Sequence, residues 1–380
     1  MIDALNQLHD DWRIINRVIP YGFGLDAKRT LKRIIKDFEV PFIIDADESK
    51  WGKKFYGITV KSPKYLSELQ KNDKILITIA KRRYPEIKMV CEEFGLQENI
   101  DYCHISQFAV EWYLKYKNEY CLFTLDMALT TACTLKCKNC NMFIPYHTNP
   151  WMCSFKEFKD SIDILLERID YIFTLGLLGG EAFLNPELPR ILNYLYKQYR
   201  NRIGQVILTT NAVKMPSENI LQSIIDNSVI IAISDYSHSI GKKSRINELS
   251  TLLEEKGISY SIMYNRQWCD FGFPRQIINI SDEHIREHMM QCNPGWHGLN
   301  NGKLYFCNVA WSAEKTGLFK LQQSDKLDLT KLIPGEENSK KQVLDFIMGN
   351  LPKGFLSFCK VCAGCGPDNK NYVLAGEQIN

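Results

Sequence analysis

Three cysteines stand close together near the middle of the sequence, with the spacing C-x3-C-x2-C. They are Cys133, Cys137 and Cys140, and they directly follow an apolar run typical of a buried strand. Because cubane iron–sulfur clusters otherwise take four cysteine ligands, three thiolates from one loop would leave one iron open. The spacing therefore indicates a 4Fe–4S cluster with one open iron. The alternative is a structural zinc site, which would need a fourth ligand such as His147.

Two glycines and five polar residues stand at the ends of three later strand-like runs, where they could contact a ligand. They are Gly179, Gly180, Glu181, Thr210, Asn211, Ser234 and Asp235. Two glycines would let a ligand approach the backbone, and the carboxylate after them could bind an ammonium group. The short polar side chains suit ribose hydroxyls and a carboxylate. Together these residues predict a pocket for a small zwitterion that carries a ribose, at the carboxyl ends of the strands.

A second group of cysteines lies in the last ninety residues. Its predicted metal ligands are Cys292, Cys307, Cys359 and Cys362. The first two flank a hairpin signal at 300–302, and the last two form a C-x2-C pair, which together make four ligands for one metal centre. Cys365 is a fifth candidate, which could replace Cys359 or Cys362 or be a free thiol. A structural zinc ribbon is the alternative for this group.

Weaker signals follow the fifth strand-like run. We hypothesise that Cys269 returns a hydrogen atom to a substrate radical, against the alternative of an inert buried thiol. Asp270 or Asp235 could take a proton during oxidation or dehydration. His284 and His288 are spaced i,i+4 on a charged helix, which we interpret as a solvated face.

The segments that position these residues alternate between strand and helix patterns. Predicted strands cover 121–129, 171–178, 205–210, 229–234 and 259–264, and predicted helices cover 155–169, 187–199 and 244–256. Repeated β-α units predict a parallel sheet with helices outside it, closed fully or partly into a barrel. The opening segment also alternates, with strands at 17–21, 40–44 and 74–79 and helices at 26–38 and 84–94. Its first turn holds Gly22, Gly24 and Ala27, and Asp45 follows the second strand, as in a dinucleotide site or simply a tight β-α turn.

Composition narrows the class of protein. A chain of 380 residues suggests two or three domains. The 47 basic and 44 acidic residues leave a net charge of +3. A charge this close to zero does not indicate binding to nucleic acid or to an anionic membrane. Apolar runs are too short to span a bilayer and no signal peptide is recognisable, so we expect a cytoplasmic location. Thirteen cysteines in that compartment favour metal ligation or thiol chemistry over disulfides.

Residues 120–290 resemble the radical S-adenosylmethionine (radical SAM) superfamily, whose hallmark is the C-x3-C-x2-C motif. The resemblance implies that Cys133, Cys137 and Cys140 bind the cluster and that its open iron binds the methionyl group of S-adenosylmethionine. It implies that the 179–181 motif contacts the amine and that Thr210 and Asn211 contact the ribose and carboxylate. One departure is Asn139, where the family usually has an aromatic residue that shelters the adenine. The family chemistry is a 5′-deoxyadenosyl radical that abstracts hydrogen from an unactivated carbon.

Two further resemblances flank this region. The last ninety residues resemble the SPASM/twitch extension of radical SAM enzymes, in a short form with one auxiliary 4Fe–4S cluster. The first hundred residues resemble the Rossmann-like domain of sugar O- and N-acyltransferases and other surface-glycan proteins. We therefore predict an α/β protein with a Rossmann-like domain at 1–117, a partial (β/α)6 barrel at 118–290 and a twitch-like domain at 291–380.

These resemblances imply an enzyme that acts on a sugar, nucleotide-sugar or aminocyclitol by oxidation, epimerisation or elimination. Its expected partners are that carbohydrate substrate and an electron donor such as flavodoxin or ferredoxin, with no nucleic acid or membrane. A radical SAM enzyme that modifies peptides is a second hypothesis. A non-catalytic iron–sulfur or zinc protein is the third.

Overall fold

The computed structural model describes residues 7–79, 83–264, 266–275, 281–292 and 296–379. By their contacts the residues form two compact units. Unit 1 comprises Met1–Phe123 and Asp170–Thr174, and unit 2 comprises Thr124–Ile169 and Leu175–Asn380. The predicted division at 117/118 and 290/291 stays a prediction. None of the described helices is both long and apolar enough to cross a membrane.

Strands and helices alternate along most of the chain. The strands are β1 Val18–Tyr21, β2 Ile43–Ile44, β3 Lys54–Phe55, β4 Ile58–Lys61, β5 Lys74–Ile77, β6 Tyr102–His104, β7 Cys121–Thr130, β8 Tyr171–Gly179, β9 Ile203–Thr210, β10 Ile230–Ser234, β11 Tyr260–Met263, β12 Gln267–Cys269, β13 Gly298–Asn300, β14 Lys303–Tyr305, β15 Lys326–Asp328 and β16 Tyr372–Leu374. The helices are α1 Leu25–Asp37, α2 Tyr84–Glu93, α3 Ile105–Lys117, α4 Phe155–Leu166, α5 Leu188–Tyr199, α6 Glu218–Asp226, α7 Ser237–Ile240, α8 Ile246–Glu255, α9 Asp282–Cys292, α10 Asn308–Lys315 and α11 Glu337–Ile347.

Unit 1 contains a six-stranded sheet in the order β3-β4-β2-β1-β5-β6. Its paired strands are parallel except for β3 and β4, as the β-α alternation predicts. Strand β2 is shorter than the predicted 40–44 run, because Pro41 has no N–H to donate to a ladder. Helix α1 packs on the sheet through Ala27, Leu31 and Ile34, which repeat at helical spacing on its buried face.

In the first turn of unit 1, Gly22 and Asp45 both make close contacts within the unit. Gly22 has φ +111°, and a Cβ there would lie 2.2 Å from Cγ2 of Ile79, so only glycine fits between β1 and the end of β5. The Asp45 carboxylate accepts hydrogen bonds from the Phe23 and Asp47 amides at 2.6 and 2.8 Å and pairs with Lys50 at 3.1 Å. These internal bonds give the turn and its acid a role in packing, and the dinucleotide-site alternative stays a prediction.

Unit 2 is built on an eight-stranded sheet in the order β11-β10-β9-β8-β7-β13-β14-β15. Five strands, β7 to β11, lie side by side in chain order with helices α4 to α8 in their connections. Strand β10 pairs in parallel with both neighbours, so that Ala232 lies between Thr209 and Ser261. The fold is therefore α/β with parallel sheets. The finer prediction, a partial (β/α)6 barrel with a twitch-like extension, stays a prediction.

Helix α4 shows why these segments form where they do. Its first turn is closed by a capping box, in which the Ser154 amide donates to Glu157 at 2.8 Å and the Glu157 amide donates to Ser154 Oγ at 3.2 Å. Phe158, Ile162 and Leu165 then recur at helical spacing and are buried. A cap followed by an apolar stripe fixes both the start of the helix and the face that it buries.

Two short ladders bring distant parts of the chain together. Strands β13 and β14 form the hairpin that the 300–302 signal predicts, with positive φ at Asn301 and Gly302. Strands β12 and β16 pair antiparallel, with Trp268 opposite Val373. The second ladder was not predicted, and it positions the segment that follows β16 beside the site described next.

Candidate functional site

The three clustered cysteines lie on the loop that leaves β7. At the strand end, Thr130 Oγ1 donates to the Trp151 carbonyl at 2.8 Å, and the Thr131 amide donates to the same carbonyl at 2.9 Å. Farther along, the Cys140 amide donates to the Cys137 carbonyl at 3.3 Å and the Phe143 amide donates to the Cys140 carbonyl at 2.9 Å. The end of β7 therefore fixes where the loop begins, and the two backbone hydrogen bonds form turns within the loop.

The glycine pair after β8 allows that strand to meet the start of the loop. The Gly180 amide donates to the Thr130 carbonyl at 2.8 Å, and the Glu181 amide donates to the Ala132 carbonyl at 2.8 Å. A Cβ on Gly179 would lie 2.3 Å from the Thr130 carbonyl oxygen, and one on Gly180 would lie 2.1 Å from that of Ala132. The glycines therefore permit contact between two strand ends, a role that we had not predicted for them.

Glu181 links the end of β8 to the end of β9 through hydrogen bonds. Its carboxylate, with no exposed surface, accepts bonds from Thr210 Oγ1 at 2.9 Å and from the Asn211 amide at 3.0 Å. Burial raises its pKa to about 7, although these bonds and one from the Phe183 amide act to lower it. These bonds let Glu181 position Thr210 and Asn211, and its predicted contact with an ammonium group stays a prediction.

Asn211 continues this network into the cysteine loop. Its Nδ2 donates to Thr134 Oγ1 at 3.1 Å and lies 3.5 Å from Cys133 Sγ. Its Oδ1 accepts from the Val213 amide at 3.0 Å. The structure therefore brings the predicted residues Glu181, Thr210 and Asn211 together with Cys133.

The three thiols share an apolar environment. The side chains packed around them are Leu135, Val213, Tyr236, Ile240 and Trp268. Burial raises the pKa of Cys133 to about 12 and the pKa values of Cys137 and Cys140 to about 11. The thiols are thus protonated at neutral pH without metal, and ligation must release protons.

Ser234 ends β10 and Asp235 follows it, next to this group. Ser234 is buried, and its hydroxyl bonds to Tyr236, whose pKa is raised by burial and by the three clustered cysteines. Asp235 Oδ1 accepts from the Ser237 amide at 2.8 Å. Sequence reasoning missed Tyr236, although it directly follows two predicted site residues.

Cys269 ends β12, and Asp270 follows it. Asp270 Oδ1 accepts from Arg275 at 2.5 Å and from the Gly272 amide at 2.9 Å. Asp270 and Cys140 line the same cavity, of about 290 Å³ including space open to solvent. Asn139 also lines it, and its Oδ1 is buried with no hydrogen-bond partner among the described residues. The hydrogen bond with Cys292 and burial raise the pKa of Cys365, and Cys269 adds to that rise.

A second cavity, of about 460 Å³ including space open to solvent, is lined by five thiols. They are Cys292, Cys307, Cys359, Cys362 and Cys365. Burial raises the pKa of Cys307 to about 11 and that of Cys359 to about 12. Cys365 Sγ lies 4.0 Å from Cys292 Sγ, and its hydrogen bond lowers the pKa of Cys292 to about 6. The structure thus brings together the four predicted ligands and the fifth candidate.

His288 corrects the interpretation of the His284 and His288 pair as a solvated face. His284 is exposed, but His288 is 6% exposed and lines the five-thiol cavity. Its Nδ1 bonds to Asp368, and a Cβ on Gly364 would lie 2.5 Å from its Nε2. The charged residues next to His288 in the sequence indicated an exposed side chain. The residues that cover it lie about eighty positions away in sequence, so the local pattern could not predict its burial.

The two groups of thiols suit iron–sulfur cubanes by their donor chemistry, and structural zinc stays the alternative for each group. In the described ranges, no three His, Cys, Asp or Glu side chains are arranged to hold a single metal ion. A structural zinc site would need four ligands within about 2.3 Å of one ion. The thiolates of a cubane bind separate irons and need not converge on one point. Soft thiol donors in a largely apolar surrounding suit such a cluster.

Comparison with known proteins gives one local sequence match. A stretch of 110 residues, 28% of the chain, is 29% identical to the antilisterial bacteriocin subtilosin biosynthesis protein AlbA of Bacillus subtilis strain 168. The match covers about a fifth of AlbA, 22% of its length. No protein-family model matches the chain.

Several solved structures show partial likeness. BtrN in complex with AdoMet and 2-DOIA is 13% identical, with coverage of 61% of this chain and 84% of that chain and a TM-score of 0.38. Streptococcus suis SuiB bound to precursor peptide SuiA is 17% identical, with coverage of 73% and 55% and a TM-score of 0.31. Native anSMEcpe with bound AdoMet is 14% identical, with coverage of 37% and 43% and a TM-score of 0.31. These superpositions are too weak to decide the fold or the function of this chain.

Proposed function

We propose that the chain is a radical SAM enzyme whose first cluster is bound by Cys133, Cys137 and Cys140. The observation that carries this proposal is the C-x3-C-x2-C loop at the end of β7, bonded to the ends of β8 and β9. The bound cluster and S-adenosylmethionine would supply an electron and a 5′-deoxyadenosyl radical that abstracts hydrogen from the substrate.

The remaining residues of the site orient the S-adenosylmethionine. Gly179 and Gly180 form the rim nearest the loop, and in this proposal their backbone contacts the methionyl amine. Glu181 holds Thr210 and Asn211 in place, and these two bind the ribose and the carboxylate. Ser234 and Asp235 complete the polar rim at the end of β10. The apolar side chains around the thiols exclude water from the cluster.

An auxiliary 4Fe–4S cluster in the five-thiol cavity is the second part of the proposal. Cys292, Cys307, Cys359 and Cys362 would bind it, as expected for a short SPASM/twitch extension. Cys365 lies against Cys292, and its backbone amide is 3.5 Å from Cys292 Sγ. That placement supports a role for Cys365 beside the cluster, hydrogen-bonded to one of its ligands.

For the substrate we propose a carbohydrate: a sugar, nucleotide-sugar or aminocyclitol. The cavity shared by Cys140 and Asp270 offers a carboxylate next to the cluster loop, where it could take a proton during oxidation or elimination. Cys269 remains the proposed hydrogen donor for an epimerisation. Flavodoxin or ferredoxin would deliver the electron.

A peptide substrate is the second candidate, and the local likeness to AlbA favours it. That relative is named for the biosynthesis of subtilosin, a bacteriocin. The two candidates share the cofactors and differ in the molecule whose hydrogen is abstracted.

The class of enzyme is tested by anaerobic reconstitution, reduction and assay of 5′-deoxyadenosine formed from S-adenosylmethionine. The control is a variant with Cys133, Cys137 and Cys140 all changed to Ala, which should form none. Wild-type protein that binds iron but never cleaves S-adenosylmethionine would contradict the proposal. Deuterium transfer into 5′-deoxyadenosine from labelled nucleotide-sugars or labelled peptides then decides between the substrates.

A further inference from the structure

The segment 375–379 lies across the cysteine loop, although more than two hundred residues separate them in sequence. The Lys138 amide donates to the Glu377 carbonyl at 2.7 Å, and the Ile379 amide donates to the Lys136 carbonyl at 2.9 Å. Cys137 and Gln378 face each other as an antiparallel bridge. The segment thus forms a short β-ladder with the loop.

Gln378 stands at the centre of this ladder and contacts a thiol. Its Oε1 accepts from the Lys136 amide at 2.9 Å, and its Nε2 donates to the Gly376 carbonyl at 2.6 Å. The same Nε2 lies 3.2 Å from Cys137 Sγ, a distance typical of an N–H···S hydrogen bond. Cys137 itself is 6% exposed, so this bond is largely shielded from water.

The start of the segment is fixed independently of the loop. Ser239 Oγ donates to the Ala375 carbonyl at 2.6 Å, and the Ala375 amide donates to the Arg266 carbonyl at 3.0 Å. Gly376 has φ +73°, and a Cβ there would lie 2.7 Å from Cβ of Tyr236, one of the apolar side chains around the thiols. Since none of these anchoring contacts involves the three thiols, they position the amide of Gln378 at Cys137 independently of the cysteine loop.

We infer that segment 375–379 is a second part of the cluster site, in which the ladder retains the loop and Gln378 raises the reduction potential of the cluster. This inference rests on the proposed cluster at Cys133, Cys137 and Cys140. The physical reason is electrostatic, because reduction adds negative charge that a donated N–H···S bond stabilises. Gln378 is a positioning residue in this scheme, since it touches a ligand sulfur and not the substrate.

The test compares Gln378→Met with Glu377→Gln in the full chain. Methionine keeps the length of the side chain and removes both the N–H donor at Cys137 and the Oε1 acceptor of the Lys136 amide. Glu377→Gln is the matched control, because it removes only the 3.3 Å pairing with Lys138 on the same ladder and leaves the thiol contact. After anaerobic reconstitution, each protein is measured for iron content, for the midpoint potential of the first cluster by electron paramagnetic resonance, and for the rate of iron release to a chelator.

We expect Gln378→Met to lower the midpoint potential by the equivalent of a roughly fivefold or larger change in the electron-transfer equilibrium. We expect it also to release iron faster than Glu377→Gln, which should behave as wild type. A Gln378→Met protein that loses its iron while Glu377→Gln keeps it also supports the retaining role.

Two results overturn the inference. One is a Gln378→Met protein whose potential and iron release both equal those of wild type. The other is an equal change in Glu377→Gln, which would show that any loosening of the ladder has the same effect. If wild-type protein binds no oxygen-sensitive cluster at this loop, the proposed function fails instead, so the two failures are distinguishable.

Discussion

Glu181 is a buried acid whose titration should be visible in the stability of the protein. Burial raises its pKa to about 7 from the usual 4.5. Between these values the folded state keeps the proton that the unfolded chain releases. The free energy of unfolding therefore falls as pH rises from about 4.5 to 7, by about 3 kcal/mol from this group, and stays lower above pH 7.

We expect Glu181→Gln to remove this pH dependence. Urea unfolding of the reduced, metal-free protein at pH 5 and pH 8 measures it as the difference between two free energies. Glu157→Gln is the control. Burial opposes ionisation of Glu157, but bonds from Ser154 and Trp151 hold its pKa below 4.5, so its own titration lies outside this range. An unchanged difference in Glu181→Gln would contradict the assigned pKa.

The meeting of the ends of β7 and β8 depends on glycine. A Cβ at position 180 would lie 2.1 Å from the Ala132 carbonyl oxygen and 3.0 Å from Cβ of Cys133, so backbone must move. Overpacking of this kind costs about 1–3 kcal/mol. The displaced residues carry the first cysteine, so we expect Gly180→Ala to lose the first cluster and keep the second.

Iron content after reconstitution checks this prediction, with a fall from about eight irons per chain to about four. Gly24→Ala is the matched control, since a Cβ there meets nothing within 4 Å. Full iron content in Gly180→Ala would show that the loop tolerates the shift.

The elements that carry the site follow from local patterns in the sequence. Strands β7 to β11 and helices α4, α5 and α8 form within a few residues of their predicted bounds, because each has its own apolar period and turn signals. The β12–β16 ladder has no such signal, since each partner is three residues long and the pairing spans a hundred residues. The contact of Gln378 with Cys137 and the burial of His288 were not predicted for the same reason. The residues that each of them contacts lie far away in sequence.

Across the whole molecule, the two groups of thiols should act as separate metal sites. The three thiols lie on one loop with their own apolar lining, and the five thiols come from three other segments that line a separate cavity. Replacing the three loop cysteines should leave about four irons in the five-thiol cavity, and replacing Cys292 and Cys307 should leave about four at the loop. Removal of one cluster should not unfold the other site.

The two half-loaded proteins should differ in their response to S-adenosylmethionine. An open iron is expected at the three-thiol loop, whereas four thiolates saturate the second cluster. The electron paramagnetic resonance spectrum of the reduced protein should therefore shift on addition of S-adenosylmethionine when the loop is intact. It should stay unchanged in the variant that lacks Cys133, Cys137 and Cys140 and keeps the five-thiol cavity intact. A shift in that second variant would move the open iron to the five-thiol cavity, and with it the site of S-adenosylmethionine binding.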